Sequence, residues 1–442
     1  MWITGTQTQE HGLKEYLDRL LKECRKEVYA MLGTVRANRR MLLSAVTAAG
    51  LVLSVMTTGS RAAPSAAAPP IKIGFSVSLS GDFSSDGPAI LQGYQLWANY
   101  VNSHGGLLGR KVQLIHYDDA STPTQVATNY TKLITSDKVD LTFGPFSSLL
   151  TIPAAAVARR YGYVFPAPAG GGPSVFQQHF TNFFFVQPSP VADNLVSFAN
   201  WLKTQPAAKR PTTAAYITID DPFAKPETDT GRSFIQRHGV RTVYNTVVPA
   251  EAKDFQPIAL AAVHSHAQLV VIGSPGPDLA IALIHTFIQQ HYNPKAIIAT
   301  SGPDQGKTFS KAVGLKNTEG IMVPEGWWYG AKTYQNPQFI SSYLKAYHGT
   351  VADISQDTPE AYSVGQVMQQ AIQKIHSLSN SALIAELHRG TFQTVQGPMR
   401  FDRAGRPLGQ SFIVQWQGGN TIPVYPRSFA VKPVEYPKPA WH

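Results

Sequence analysis

From residue 71 onward, runs of apolar, often β-branched residues alternate with segments whose apolar residues recur every three to four positions. That alternation leaves few folds open. Ile71–Leu79 reads as a strand. Ile90, Tyr94, Trp97 and Val101 then share one face of a helix that Gly105-Gly106 ends. Val112–Tyr117 and Val139–Gly144 read as strands, Pro123–Ser136 and Ile152–Tyr161 as helices, and Tyr163–Phe165 as a short strand. The pattern then restarts. Ala214–Ile219, Val240–Val248, Leu269–Gly273 and Ala296–Thr300 are strands, with helices over Thr228–His238, Ile258–Ser265 and Asp278–His291. Strand–helix–strand repeats place parallel strands side by side and helices on both faces. The expected fold is therefore α/β, with two doubly wound parallel sheets. Further on, Gly320–Pro324 reads as a strand between the halves and Pro359–Ser377 as a helix. A β-rich tail ends in "SFIVQW" and "TIPVYP", joined by the hairpin signal Gly418-Gly419-Asn420.

Ligands of doubly wound sheets bind at the carboxyl ends of the strands, so the loops there are the candidate site. The first half supplies hydroxyls, glycines and helix starts. Ser147 and Ser148 precede a helix, whose first N–H groups favour an anion, and Gly170-Gly171-Gly172 permits close backbone approach. The second half supplies acids, namely Asp220, Asp221, Asp278 and Asp304. An anion gripped on one side and a cation on the other describes a zwitterion such as an amino acid. Trp327-Trp328 could wall an apolar part of the ligand or pack between the halves. The stretch "ATSGPDQGKTF" is one residue short of a P-loop between Gly302 and Gly306. Asp304 would also repel phosphate, so no nucleotide is expected.

Other classes are excluded on composition. The single cysteine, Cys24, rules out an internal disulfide and a thiolate metal site. His264 and His266 are two apart on a helix and do not share a face, so no metal site is expected. No nucleophile–base motif is present, so the chain reads as a binding protein without cofactor or catalysis. The net charge is +10. Residues 63–442 carry 29 basic and 23 acidic residues with no basic cluster interleaved with aromatics, which argues against nucleic acid. Residues 1–62 read as a leader. Basic "RANRR" precedes apolar "MLLSAVTAAGLVLSVM" and a small-residue stretch, the order of a signal peptide, with Met31 a candidate start. A periplasmic location follows.

The segment "IKIGFSVSLSGDFSSDGPAILQGYQLWANYVNSHGGLLGRKVQLIHYDD" (71–119) resembles the type I periplasmic solute-binding proteins of the leucine/isoleucine/valine group, which serve ABC importers. "FGPFSS" (143–148), "PEAYSVGQVMQQAI" (359–372) and "GPMRFDRAGR" (397–406) extend the resemblance across about 71–426. It implies two lobes joined by a three-segment hinge. Lobe 1 would hold 71–189 plus 325–409, and lobe 2 would hold 190–324 plus 410–426, with a linker at 63–70 and a tail at 427–442. It further implies a carboxylate-binding serine at Ser148, a backbone segment at Ala169–Gly171 that includes Gly170, a ligand-facing aromatic at Phe223, and an ammonium-binding acid near Asp304, with Ser301 competing for that place. A monomer that hands a small amino-acid-like ligand to ABC permease subunits is implied. Glycine at 170–171 replaces a frequent threonine, and Phe223 a frequent tyrosine. An amide, urea-type or aromatic acid solute, sensed rather than transported, is the alternative.

Overall fold

The computed structural model describes residues 68–442. The leader, Cys24, Met31 and most of the linker lie outside the described residues. In chain order the elements begin with β1 (Ile71–Val77), α1 (Gly87–Ser103), β2 (Val112–Asp118), α2 (Pro123–Thr135), β3 (Leu141–Thr142), α3 (Ser148–Arg160), β4 (Phe165–Ala167), α4 (Pro173–Phe176) and β5 (Phe183–Phe185). There follow α5 (Asn194–Thr204), β6 (Thr213–Ile219), α6 (Ala224–Arg237), β7 (Arg241–Val248), α7 (Gln256–His264), β8 (Leu269–Gly273), α8 (Asp278–Gln289), β9 (Ala296–Ala299), α9 (Gly306–Val313) and β10 (Met322–Glu325). The last group is α10 (Asn336–Tyr347), α11 (Asp357–Ile375), α12 (Asn380–Leu387), β11 (Phe392–Thr394), β12 (Gly397–Met399), β13 (Phe412–Gln417) and β14 (Asn420–Tyr425).

In the first lobe β1 lies between β2 and β3, parallel to both, and β4 pairs in parallel with β5. In the second, seven strands run in the order β14-β13-β10-β9-β8-β6-β7, with β13 antiparallel to both of its neighbours and every other pair parallel. Every residue of β8 and β9 is buried, because helices cover both faces of a parallel sheet. Edge strand β7 is mostly exposed or half-buried. The crossovers place the loops after β3, β4, β6, β8 and β9 at the carboxyl ends of their sheets.

One apolar core draws on 71–191 and 327–401. Two others cover the faces of the long sheet and draw on 195–322 and 413–424. The chain therefore passes between lobes three times, near residues 191–195, 322–327 and 401–412. At the hinge Val323, Phe412 and Val414 form a small cluster with Trp328 packed on it. Helix α11 is held close to α1. A Cβ on Gly93 would lie 2.3 Å from the Thr358 carbonyl oxygen, which fixes where the start of α11 sits.

The structure differs from the sequence reading at several elements. The short strand falls at Phe165–Ala167, two residues later than expected, where Pro166 uses its carbonyl to accept from the Gly144 N–H. Helix α6 starts four residues early, because Pro226 is tolerated in a first helical turn. The strand expected at Gly320–Pro324 is β10, an inner strand of the second lobe's sheet. Three-residue β5 and helix α5 were not anticipated; "FFF" has no alternation to mark it as a strand.

Candidate ligand-binding cleft

A cavity of ≈ 90 Å³, room for several waters or a small organic solute, lies between the lobes and against all three crossings. The first lobe contributes Phe146, Ser147, Ala169 and Gly170. These come from the loops after β3 and β4. The second lobe contributes Phe223, Pro275, Thr300, Ser301 and Asp304, from the loops after β6, β8 and β9. Glu325 ends β10 at the hinge and Gly326 follows it, and Asp357 and Glu360 occupy the first turn of α11.

Ser147 sits at the start of α3. Its side chain accepts from the Leu150 N–H at 3.3 Å, and its φ of 66° turns the chain into the helix. The first N–H groups of that helix lack intrahelical acceptors and point out of its end, next to the cavity. Gly170 has φ +81°, and a Cβ there would lie 2.2 Å from the Thr151 hydroxyl, so its loop is seated directly on the first turn of α3. Across the cleft Asp304 is held by its own loop. Its carboxylate accepts from the Gly302 N–H at 2.5 Å and from the Ser301 hydroxyl at 3.4 Å.

Of the residues singled out from sequence, Ser147, Ala169, Gly170, Phe223, Ser301 and Asp304 line one cavity. Ser148, Gly171, Asp221, Trp327 and Trp328 do not, and neither do Gly172, Asp220 and Asp278. Ser148 is buried, and its hydroxyl accepts from the Gly172 N–H at 3.0 Å, which ties the helix start to the glycine loop. Gly171 faces the Phe185 ring, 2.2 Å from where a Cβ would stand. Asp221 accepts from the Phe223 and Ala224 N–H groups at 2.7 and 3.1 Å and so shapes the turn into α6. Trp327 is buried, donates to Asn336 at 2.6 Å and packs edge-on to Phe339. Trp328 packs on the hinge cluster and on Tyr329. Both tryptophans serve packing, the second of the two roles open to them in the sequence.

The division into a hydroxyl half and an acid half is corrected by the structure. Acids line the cavity from the hinge and from the first lobe as well, and sequence reasoning missed Glu325, Asp357 and Glu360. Asp357 and Glu360 look like ordinary first-turn acids favoured by the helix dipole. Glu325 follows a buried apolar run, and that unusual juxtaposition was the available signal. No Lys, Arg or His among the described residues lines the cavity. Burial pushes Asp304 up to about 6, its hydrogen bonds opposing. Burial and then the Asp304 charge push Asp357 up to about 8. Burial followed by Asp304, Glu360 and Asp357 raises Glu325 well above its usual range. Glu360 is raised by burial and by Asp357, with a bond from Gln187 opposing. Asp221, also raised by burial, is relieved by the two N–H groups it accepts from.

The lobes touch at the cleft mouth. Gln305 of the second lobe donates to buried Asp86 of the first. Lys253 pairs with Asp82 at 2.6 Å, and a Cβ on Gly172 would lie 2.5 Å from the Pro222 carbonyl oxygen. Across the described residues no helix is long and apolar enough to cross a membrane, and no cluster of metal-ligating side chains is present.

A family model described as periplasmic binding protein matches residues 70–420. The chain is similar to Leu/Ile/Val-binding protein homolog 7 of Brucella melitensis, 23% identical over 405 residues, covering 88% of this chain and 99% of that protein. Homolog 3 of the same organism is 24% identical over 378 residues, covering 84% and 98%. Among solved structures, a solute-binding protein of an ABC transporter from R. palustris in complex with benzoate has a TM-score of 0.70 at 17% identity, covering 84% of this chain and 97% of that one. A branched-chain amino acid transporter substrate-binding protein from Streptococcus pneumoniae in complex with isoleucine has a TM-score of 0.68 at 18% identity, covering 84% and 100%.

Proposed function

This chain belongs to the periplasmic binding protein family, and from that premise we propose that it captures a small amino-acid-like solute by closing its two lobes and delivers it to the permease of an ABC importer. The observation that carries the proposal is that Ser147 and Asp304, from opposite lobes, line one cavity. The ligand's carboxylate would lie at the N-terminal end of α3, where N–H groups and Ser147 meet it. Its ammonium would pair with Asp304. Only the closed form makes both sets of contacts, so ligand shifts the lobes toward closure by its differential affinity for that form. A micromolar dissociation constant corresponds to about 8 kcal/mol, part of which offsets the ordering of the hinge.

Delivery rather than turnover fits the side chains. Of the cavity's hydroxyls Ser301 donates to Asp304, Thr300 to the Ser274 carbonyl and Ser189 to Asn194, and no histidine or lysine lines the cavity beside them to act as a base. Secretion through the signal peptide, a monomeric state and docking of the closed lobes on permease subunits belong to the same reading. The benzoate of the R. palustris neighbour raises an aromatic acid as ligand. Four carboxyls around the cavity weigh against an anion without a compensating ammonium.

Calorimetric titration of the purified protein with a panel of L-α-amino acids, followed by small-angle scattering with and without the best binder, tests the reading. Saturable binding with a decrease in radius of gyration is expected. Failure of every α-amino acid to bind would overturn it.

A further inference from the structure

The cavity gathers more carboxyl groups than an amino acid with an apolar side chain can answer. Asp304, Glu325, Asp357 and Glu360 all line it, and no cationic side chain among the described residues does. The Asp304 ammonium site uses one of the four. Glu325 lines the cavity, is 5% exposed, and its buried Oε1 has no hydrogen-bond partner in the structure. A buried carboxyl oxygen left unpaired is costly, and a donor supplied by the ligand removes that cost. Asp357 is also buried, at 7% exposed, and its carboxylate accepts from the Ser355 hydroxyl at 3.1 Å. Three carboxyls thus border the cavity from the end of β10 and the first turn of α11, on the lobe-1 and hinge side of the space that Asp304 borders from lobe 2, without drawing together into a metal-binding cluster.

We propose that Glu325, Asp357 and Glu360 form a second cation subsite, and that the ligand is an α-amino acid whose side chain carries its own ammonium or guanidinium group. This rests on the amino-acid reading above and specifies the substrate class within it. The α-carboxylate faces the start of α3, the α-ammonium faces Asp304, and the side-chain cation enters the three-carboxyl pocket, donating to the free Glu325 oxygen. An aliphatic side chain placed there would strip water from three carboxyls and give them no donor. The raised protonation of these groups is what such a crowded, cation-free pocket produces in the absence of ligand. Binding of the second cation then expels protons from the pocket. The name of the Leu/Ile/Val-binding relatives describes a side chain with no such group.

The test is a titration of the wild-type protein with L-ornithine, L-lysine, L-arginine, L-leucine, an α,ω-diamine and benzoate, repeated in two buffers of different ionisation enthalpy. The expected result is that at least one basic amino acid binds ten- to a hundred-fold more tightly than leucine, with net proton release. Glu325→Gln should weaken binding of the preferred basic amino acid at least tenfold and reduce the net proton release that accompanies it. Leucine binding as tightly as every basic amino acid overturns the second subsite and leaves the amino-acid reading standing. Diamine binding equal to the best amino acid supports the subsite and removes the carboxylate grip. Binding of benzoate alone, or of nothing in the panel, overturns both. If Glu325→Gln does not fold, the wild-type ranking and its proton release decide by themselves.

Discussion

Replacing Asp357 by Asn should flatten the dependence of stability on pH. Asp357 is buried at the start of α11, and burial with the nearby Asp304 charge raises it from 3.8 to about 8. The folded protein therefore keeps a proton on this group that the unfolded chain releases near pH 4. Its contribution to stability is fully present below about pH 4 and is lost as pH rises through about 8. Within that window stability falls by about 1.4 kcal/mol per pH unit for one retained proton. From pH 5 to 7.5 the loss is about 3 kcal/mol, which for a folded body of about 375 residues lowers Tm by about 4 °C. His116, pushed down by burial, acts with the opposite sign, so the informative quantity is the wild-type Tm minus that of Asp357→Asn. Thermal unfolding by circular dichroism without added ligand, at half-unit steps from pH 5 to 8, measures it. The difference should fall by about 4 °C across the range. A difference constant within 1 °C would refute the claim that Asp357 is held protonated by burial and by the Asp304 charge.

Three further outcomes are expected. Trp327→Phe removes the donor to Asn336 and leaves a buried amide oxygen unpaired; chemical denaturation should show a loss of about 1–3 kcal/mol, with ligand affinity unchanged. Gly171→Ala drives a methyl into the Phe185 ring, which itself lines the cavity; about 1–3 kcal/mol of stability and most of the ligand affinity should be lost together in thermal and calorimetric assays. Lys253→Ala removes an exposed pair between the lobes and should change stability by less than about 0.5 kcal/mol and affinity by less than twofold, with any effect vanishing in high salt.

Much of the fold was legible because its strands and helices carry periodic apolar patterns. Strands β1, β6, β8 and β9 are buried apolar runs and helices α1, α2 and α11 carry a regular apolar face, and they were readable in order. β5 was not, since three consecutive phenylalanines pack through contacts with β4 rather than through any local alternation. In the candidate site, loops after strands were found by topology alone, and six of the residues chosen from them line the cavity. Within a loop, however, neighbours face different ways. Ser147 borders the cavity while Ser148 ties the glycine loop, and Phe223 borders it while Asp221 shapes the turn.

Sequence by itself determined the alternating α/β architecture, the loops where a ligand must sit and the presence of an acid opposite a helix start. These follow from local periodicity and from the fixed handedness of parallel crossovers. Only the tertiary structure decided that Glu325, Asp357 and Glu360 share the cavity with Asp304. They are brought in by the second hinge crossing and by the packing of α11 on α1, contacts between residues hundreds of positions apart that no local pattern records. The charge of the pocket, and with it the kind of solute it can hold, is therefore a property of the folded cleft.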